Sequence, residues 1–104
     1  MIIDKRTYVL QPGTVPEYFK LYEAQGLEVQ QRILGNLIGY FATEVGTQNE
    51  VMHLWGYESL DDRERRRAEL GADPDWQAYL AKVRPLIVRM ENAIIKPAPF
   101  SPIR

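Results

Sequence analysis

Residues 50–58, EVMHLWGYE, constrain the fold more than any other segment of this chain. Successive side chains of a strand point to opposite faces. Val51, His53, Trp55 and Tyr57 therefore share one face, and Met52, Leu54 and Gly56 share the other. A half-exposed strand carries polar residues on one side, but neither side here is charged. Both faces of the sheet containing this strand need a cover. One of them also has to accommodate the only histidine of the chain.

The segments around this strand show what can supply the first cover. Residues 2–10 alternate and read as a strand that ends at the turn signal QPGT. Thr14 and Glu17 have capping-box spacing. Val15, Phe19, Tyr22, Gly26, Val29 and Ile33 then recur at helical intervals up to Gly35. They predict one helix of about twenty residues, near 30 Å long. LIGYFATEV, at about 37–45, pairs as a hairpin with about 50–58 across GTQN. SLDDRERRRAELG reads as a second helix opened by Ser59 and Asp62, and DPDWQAYLAKVR as a third with Trp76, Leu80, Val83 and Ile87 on one stripe. Pro85 either kinks or ends that helix. RMENAIIK is a last strand before the proline-rich tail at 97–104.

The resulting order, β-α-β-β-α-α-β, is an α+β ferredoxin-like plan in one domain spanning 1–104. Its helices cover one face of a four-stranded antiparallel sheet. A domain of 104 residues rarely covers both faces of its sheet itself. The apolar face with Leu37, Phe41, Met52 and Leu54 is therefore expected to close against a second copy, as a homodimer.

Composition narrows the function. Thirteen basic and fourteen acidic residues give a net charge of −1, unlike a chain built to hold nucleic acid or an anionic membrane by bulk charge. There is no cysteine, hence no disulfide framework or thiol chemistry. One histidine without cysteine provides no basis for a metal site, and the glycines form no nucleotide-binding pattern, so neither metal nor cofactor is expected. The N-terminus, MIIDKRTYVL, carries charge by position 4 and lacks the apolar run of a signal peptide. A soluble, cytoplasmic protein is expected.

If GTQN is a four-residue loop with Val45 facing Glu50, Tyr40, Glu44, His53, Trp55 and Tyr57 share a face, joined on the first strand by the parity of Asp4, Arg6 and Tyr8. Polar groups converging among aromatic rings are what a small-molecule pocket looks like. The same set also fits an aromatic core layer whose polar tips find backbone partners. Residues 61–69 hold four arginines and four acids, with Asp61–Arg65 and Asp62–Arg66 at ion-pair spacing on a solvated helix face. Arg63 and Arg67 instead fall on the stripe of Leu60 and Leu70 and lean toward the sheet. An inward guanidinium needs either a structural partner, such as Glu44 or Glu58, or an anionic ligand.

RTYVLQPG near the start, GYFATEVGTQNEVMHLWGYESLDDRERRR in the middle, and DPDWQAYL followed by FSP resemble the NIPSNAP family over nearly the whole chain. Asp4 stands where the resemblance leads one to expect glutamate. The resemblance implies a dimeric α+β barrel, the assembly also used by small cofactor-free monooxygenases and muconolactone isomerases. In such a barrel the ligand cavity lies between each sheet and its own helices. Animal members are linked to mitochondria and vesicle traffic, whereas this N-terminus has no mitochondrial presequence pattern. The resemblance brings no particular reaction. The functional expectation is a homodimer binding a small anionic or aromatic molecule through Arg6, Tyr8, Tyr40, Glu44, His53, Trp55, Tyr57, Arg63 and Arg67. The alternatives are a cofactor-independent monooxygenase or isomerase, or an interaction module without a ligand.

Overall fold

The computed structural model describes residues 1–104. Its elements are β1 (Ile2–Leu10), α1 (Val15–Gln25), α2 (Leu27–Leu34), β2 (Asn36–Ala42), β3 (Glu50–Tyr57), α3 (Leu60–Ala72), α4 (Pro74–Val83) and β4 (Ile87–Ile95). The four strands form one antiparallel sheet in the order β2-β3-β1-β4. The Cα frame spans 38 × 36 × 20 Å. Its short dimension fits one sheet and one layer of helices, which stack about 10 Å apart. The helices occupy one face only, as the element order predicts.

Local chemistry explains where the helices begin and end. Ser59 accepts a hydrogen bond from the Asp62 N–H at 3.1 Å, and Asp73 accepts one from the Trp76 N–H at 3.0 Å. Pro74 occupies the first turn of α4, where a missing N–H is harmless. Pro85 ends α4 instead of kinking it, within a 3-10 turn over Arg84–Leu86. Thr14 does not cap α1 with its side chain. Its hydroxyl donates to the Gln11 carbonyl at 2.7 Å and closes the preceding turn instead.

The single long helix expected at 14–35 is two helices that meet at Gly26. A Cβ at this position would lie 2.9 Å from the Tyr22 ring and 3.0 Å from the Tyr79 ring. Glycine therefore lets the chain bend where α1 packs against α4. The bend shifts the buried stripe of α1 to Tyr18 and Tyr22, leaving Val15 and Phe19 half-buried.

The hairpin also differs from the expected one. β2 stops at Ala42, opposite Val51, so the connection runs through residues 43–49. Asn49 adopts a left-handed conformation with φ of 59°. Its carbonyl accepts from the Leu10 N–H at 2.7 Å and its side chain from the Gly13 N–H at 2.9 Å. Tied to the end of β1, Asn49 cannot serve in a tight four-residue turn. A bulge between Leu37 and Gly39 then places Leu37 opposite Trp55 on the helix side, not on the outer face. Gly39 faces Leu54.

Two apolar clusters fill the space between sheet and helices. One joins Tyr8, Leu10, Tyr18, Tyr22, Val51, Tyr79 and Val83. The other joins Val29, Ile33, Leu34, Trp55, Tyr57 and Leu70. The outer face remains open: Phe41 is 49% exposed and Met52 and Leu54 are half-buried. Along the edge strand β4, Val88 and Ile95 are exposed as well, and so are Met90 and Ile94 on the helix side, where they pair with Tyr8 and Asp4.

Candidate functional site

The two strands at the centre of the sheet, β1 and β3, place Asp4 opposite Trp55, Arg6 opposite His53, and Tyr8 opposite Val51. Tyr40 lies across His53 from the other side, on β2. The expected register was off by two residues. The side-chain period of a strand is also two, so Tyr40 and His53 still share a face.

His53 is 1% exposed. Its ring stacks on Tyr40, with centroids 4.4 Å apart and planes within 5°, and meets the Tyr8 ring edge-on at 4.9 Å. Trp55 donates its indole N–H to His53 Nδ1 at 2.7 Å. Nδ1 is thereby an acceptor, which leaves the proton of the neutral ring on Nε2. That Nε2 is buried and has no hydrogen-bond partner. Burial, reinforced by the positive charges of Arg6 and Arg67 and opposed by Asp4, lowers the His53 pKa to about 3. The imidazole is a neutral N–H donor at physiological pH.

Asp4 is completely buried beside this ring. It accepts from Arg63 Nε at 3.0 Å, Arg6 Nη1 at 3.3 Å and Asn92 Nδ2 at 3.0 Å. Burial acts to raise its pKa, but the hydrogen bonds from Asn92 and Arg63 and the charges of both arginines prevail and hold it below the usual carboxylate range. Arg63 thus points inward as the stripe predicts, but its partner is Asp4, not Glu44 or Glu58. Arg6 is also fixed from its other side, donating Nε to the Tyr8 hydroxyl at 3.0 Å.

Arg67 differs from its neighbours. It reaches the same region from α3, yet no carboxylate lies within 4 Å of its guanidinium. Arg65 is solvent-exposed at 71% of its side chain, as expected. Arg66, expected in solvent too, donates to the Ile33 and Leu34 carbonyls at 3.2 and 3.5 Å and so closes the end of α2. Asp62 receives both Arg65 and Arg66, at 2.7 and 2.9 Å, and Asp61 pairs with neither. Leu60, expected to face the sheet, is 59% exposed.

These side chains bound a cavity of about 220 Å³ between the sheet and the helices. Of the residues named from the sequence, Arg6, Tyr8, Tyr40, His53 and Arg67 line it. Trp55 lies beneath, holding His53. Tyr57 is buried in the neighbouring apolar cluster with its hydroxyl unpartnered. Arg63 is taken up by Asp4. Glu44 is exposed in the 43–49 connection, because β2 ends before it is reached. Sequence reasoning missed Tyr18, Gln30 and Tyr79. The spacing of Tyr18, Tyr22 and Gly26, four residues apart each time, was the available signal for the first. Tyr22 donates to Gln30 Oε1 at 2.6 Å, and the Tyr18 and Tyr40 hydroxyls share a hydrogen bond. No group of three or more His, Asp or Glu side chains comes together in a way that could hold a metal ion.

Sheet order and single helical layer define a ferredoxin-like α+β protein. An antibiotic biosynthesis monooxygenase crystal structure has the same fold, with a TM-score of 0.64 over 95% of this chain and all of that one, at 8% identity. Closer likeness comes from a NIPSNAP family protein of unknown function from Agrobacterium tumefaciens, with a TM-score of 0.98 and 50% identity over 100% of this chain and 94% of that one. Human NipSnap homolog 2 is 34% identical over 99% of this chain and 35% of its own length. The Drosophila melanogaster protein NipSnap is 32% identical over 97% of this chain and 36% of its own length. The chain spans about a third of the length of these curated relatives. The NIPSNAP family profile matches residues 3–102, and the chain belongs to the NIPSNAP family.

Proposed function

We propose that this domain is a homodimeric binding protein that takes a small anionic or aromatic molecule between its sheet and helices. One observation carries the reading: His53, with a buried Nε2–H that has no partner, and Arg67, whose guanidinium pairs with no carboxylate, line one cavity. Buried polar groups in folded proteins have partners as a rule. A histidine kept only for packing has no use for an orphaned donor. The same geometry favours binding over acid–base catalysis, since Nδ1 is held by Trp55 and the ring resists protonation. An interaction module without a ligand has no need of the cavity.

The dimer is supported by the outer sheet face, where Phe41 folds back over Gly39 beside Met52 and Leu54 with no cover from the chain itself. A cytoplasmic setting is part of the same proposal. It agrees with the lack of cysteine, and no helix is long and apolar enough to cross a membrane.

Amide NMR spectra recorded against a panel of ring-sized compounds test the binding half. Shifts are expected at Tyr8, Tyr40, His53 and Arg67. A panel that moves nothing, or only the outer sheet face, would sink it. Light scattering at micromolar concentration tests the dimer, and a monomer would contradict it.

A further inference from the structure

The polar atoms around the cavity are unequal in a way that identifies the ligand. His53 has its acceptor nitrogen filled by Trp55 at 2.7 Å, leaving only Nε2–H. The Tyr8 oxygen accepts from Arg6 at 3.0 Å, leaving its own hydroxyl proton to give. Gln30 uses Oε1 for Tyr22 at 2.6 Å, leaving its amide N–H groups. Arg67 has donors only. All four side chains line the cavity. The nearest carboxylate, Asp4, is enclosed by Arg6, Arg63 and Asn92 and does not line it. Among these four side chains the strongest acceptors, His53 Nδ1 and Gln30 Oε1, are filled within the protein, and the groups left without a partner are mainly donors.

Charge points the same way. Three guanidiniums lie in this region against the single carboxylate of Asp4: Arg6 and Arg63 contact it, and Arg67 stands farther off. A cation would meet uncompensated positive charge here and find no free carboxylate. A neutral alcohol or amide would leave that charge uncompensated. The rest of the wall is largely apolar, from Trp76, Tyr79, Leu80, Val83 and Met90, with the exposed Arg84 beside them. Its volume of about 220 Å³ exceeds the roughly 150 Å³ that accommodates benzene and falls short of the roughly 300 Å³ where drug-sized pockets begin.

We infer that the ligand is a small carboxylate on a single-ring apolar body, with the carboxylate on Arg67 and His53 Nε2–H and the ring between Trp76, Tyr79 and Val83. This rests on the binding reading above and specifies it. A planar carboxylate matches the fork of the Arg67 guanidinium, which pairs with no carboxylate of the protein. A phosphoryl group is bulkier than a carboxylate, in a cavity that holds little more than one ring.

Calorimetry on the 104-residue chain tests this with benzoate, benzamide, benzylamine and phenyl phosphate. Benzoate is expected to bind at least about tenfold more tightly than the other three, the scale of one charge-assisted contact. Arg67→Met should remove that advantage and leave the weak binding of benzamide unchanged. Benzamide or benzylamine binding as well as benzoate would overturn the carboxylate and leave the cavity reading intact. Tighter binding of phenyl phosphate would overturn it in favour of a phosphoryl ligand, and benzoate affinity unchanged in Arg67→Met would overturn the assigned position. Binding of none of the four would overturn both readings.

Discussion

Acid should loosen this fold through His53, and the size of the effect follows from the burial of its ring. An unfolded histidine titrates near 6.5, whereas in the folded protein burial lowers the His53 pKa to about 3. Below pH 6.5 the unfolded state binds more protons than the folded one. The contribution is therefore complete above pH 6.5 and is lost as pH falls toward 3. Its slope approaches about 1.4 kcal/mol per pH unit, which integrates to about 2.5 kcal/mol between pH 7 and 4.5. For a domain of this size that is roughly 10–20 °C in melting temperature. The charged groups facing the ring act in both directions, with Arg6 and Arg67 favouring its neutral form and Asp4 opposing. Urea unfolding of wild type and His53→Gln at fixed protein concentration, from pH 7.5 to 4.5, isolates the effect from the surface carboxylates. The stability gap between the two proteins should narrow by about 2.5 kcal/mol on acidification. A gap constant to within about 0.5 kcal/mol would refute the argument that the buried ring is neutral and unable to charge.

Three further substitutions address other parts of the account. Asp4→Ala strands Arg6 and Arg63 without their carboxylate and should cost about 3 kcal/mol in urea unfolding, the lower range for a broken buried ion pair because Arg63 is partly exposed; a cost under about 1 kcal/mol would contradict its structural role. Arg66→Ala removes the donor to the Ile33 and Leu34 carbonyls and should cost about 1–2 kcal/mol, whereas Arg65→Ala should stay within about 0.5 kcal/mol. Equal costs would remove that distinction. Leu54→Glu should dissociate or unfold the proposed dimer in light scattering, and a soluble dimer of unchanged size would place the interface elsewhere.

What could be read from the sequence was what depends on local periodicity. The alternation of Val51, His53, Trp55 and Tyr57 assigned a face to every residue of β3, and that assignment survived a wrong loop length. Glu44 did not survive, because the length of the hairpin is decided by Asn49 reaching Leu10 and Gly13, contacts that no local pattern encodes. Arg63 was legible as inward-pointing from its place on the α3 stripe. Its partner was not, since Asp4 lies 59 residues away. Tyr18 and Gln30 were hidden because the helical stripe was drawn straight through Gly26, where close packing against Tyr79 bends the chain. The donor bias of the cavity was invisible for a different reason. It depends on which lone pairs are already occupied, and only the folded arrangement of Trp55, Arg6 and Tyr22 determines that.

A crystal structure of the protein grown with benzoate shows directly where the carboxylate sits. The ring is expected among Trp76, Tyr79 and Val83, with the carboxylate at about 3 Å from both His53 Nε2 and the Arg67 guanidinium. Benzoate lodged on the outer sheet face, or seated in the cavity with its carboxylate turned away from His53 toward Met90, would contradict it.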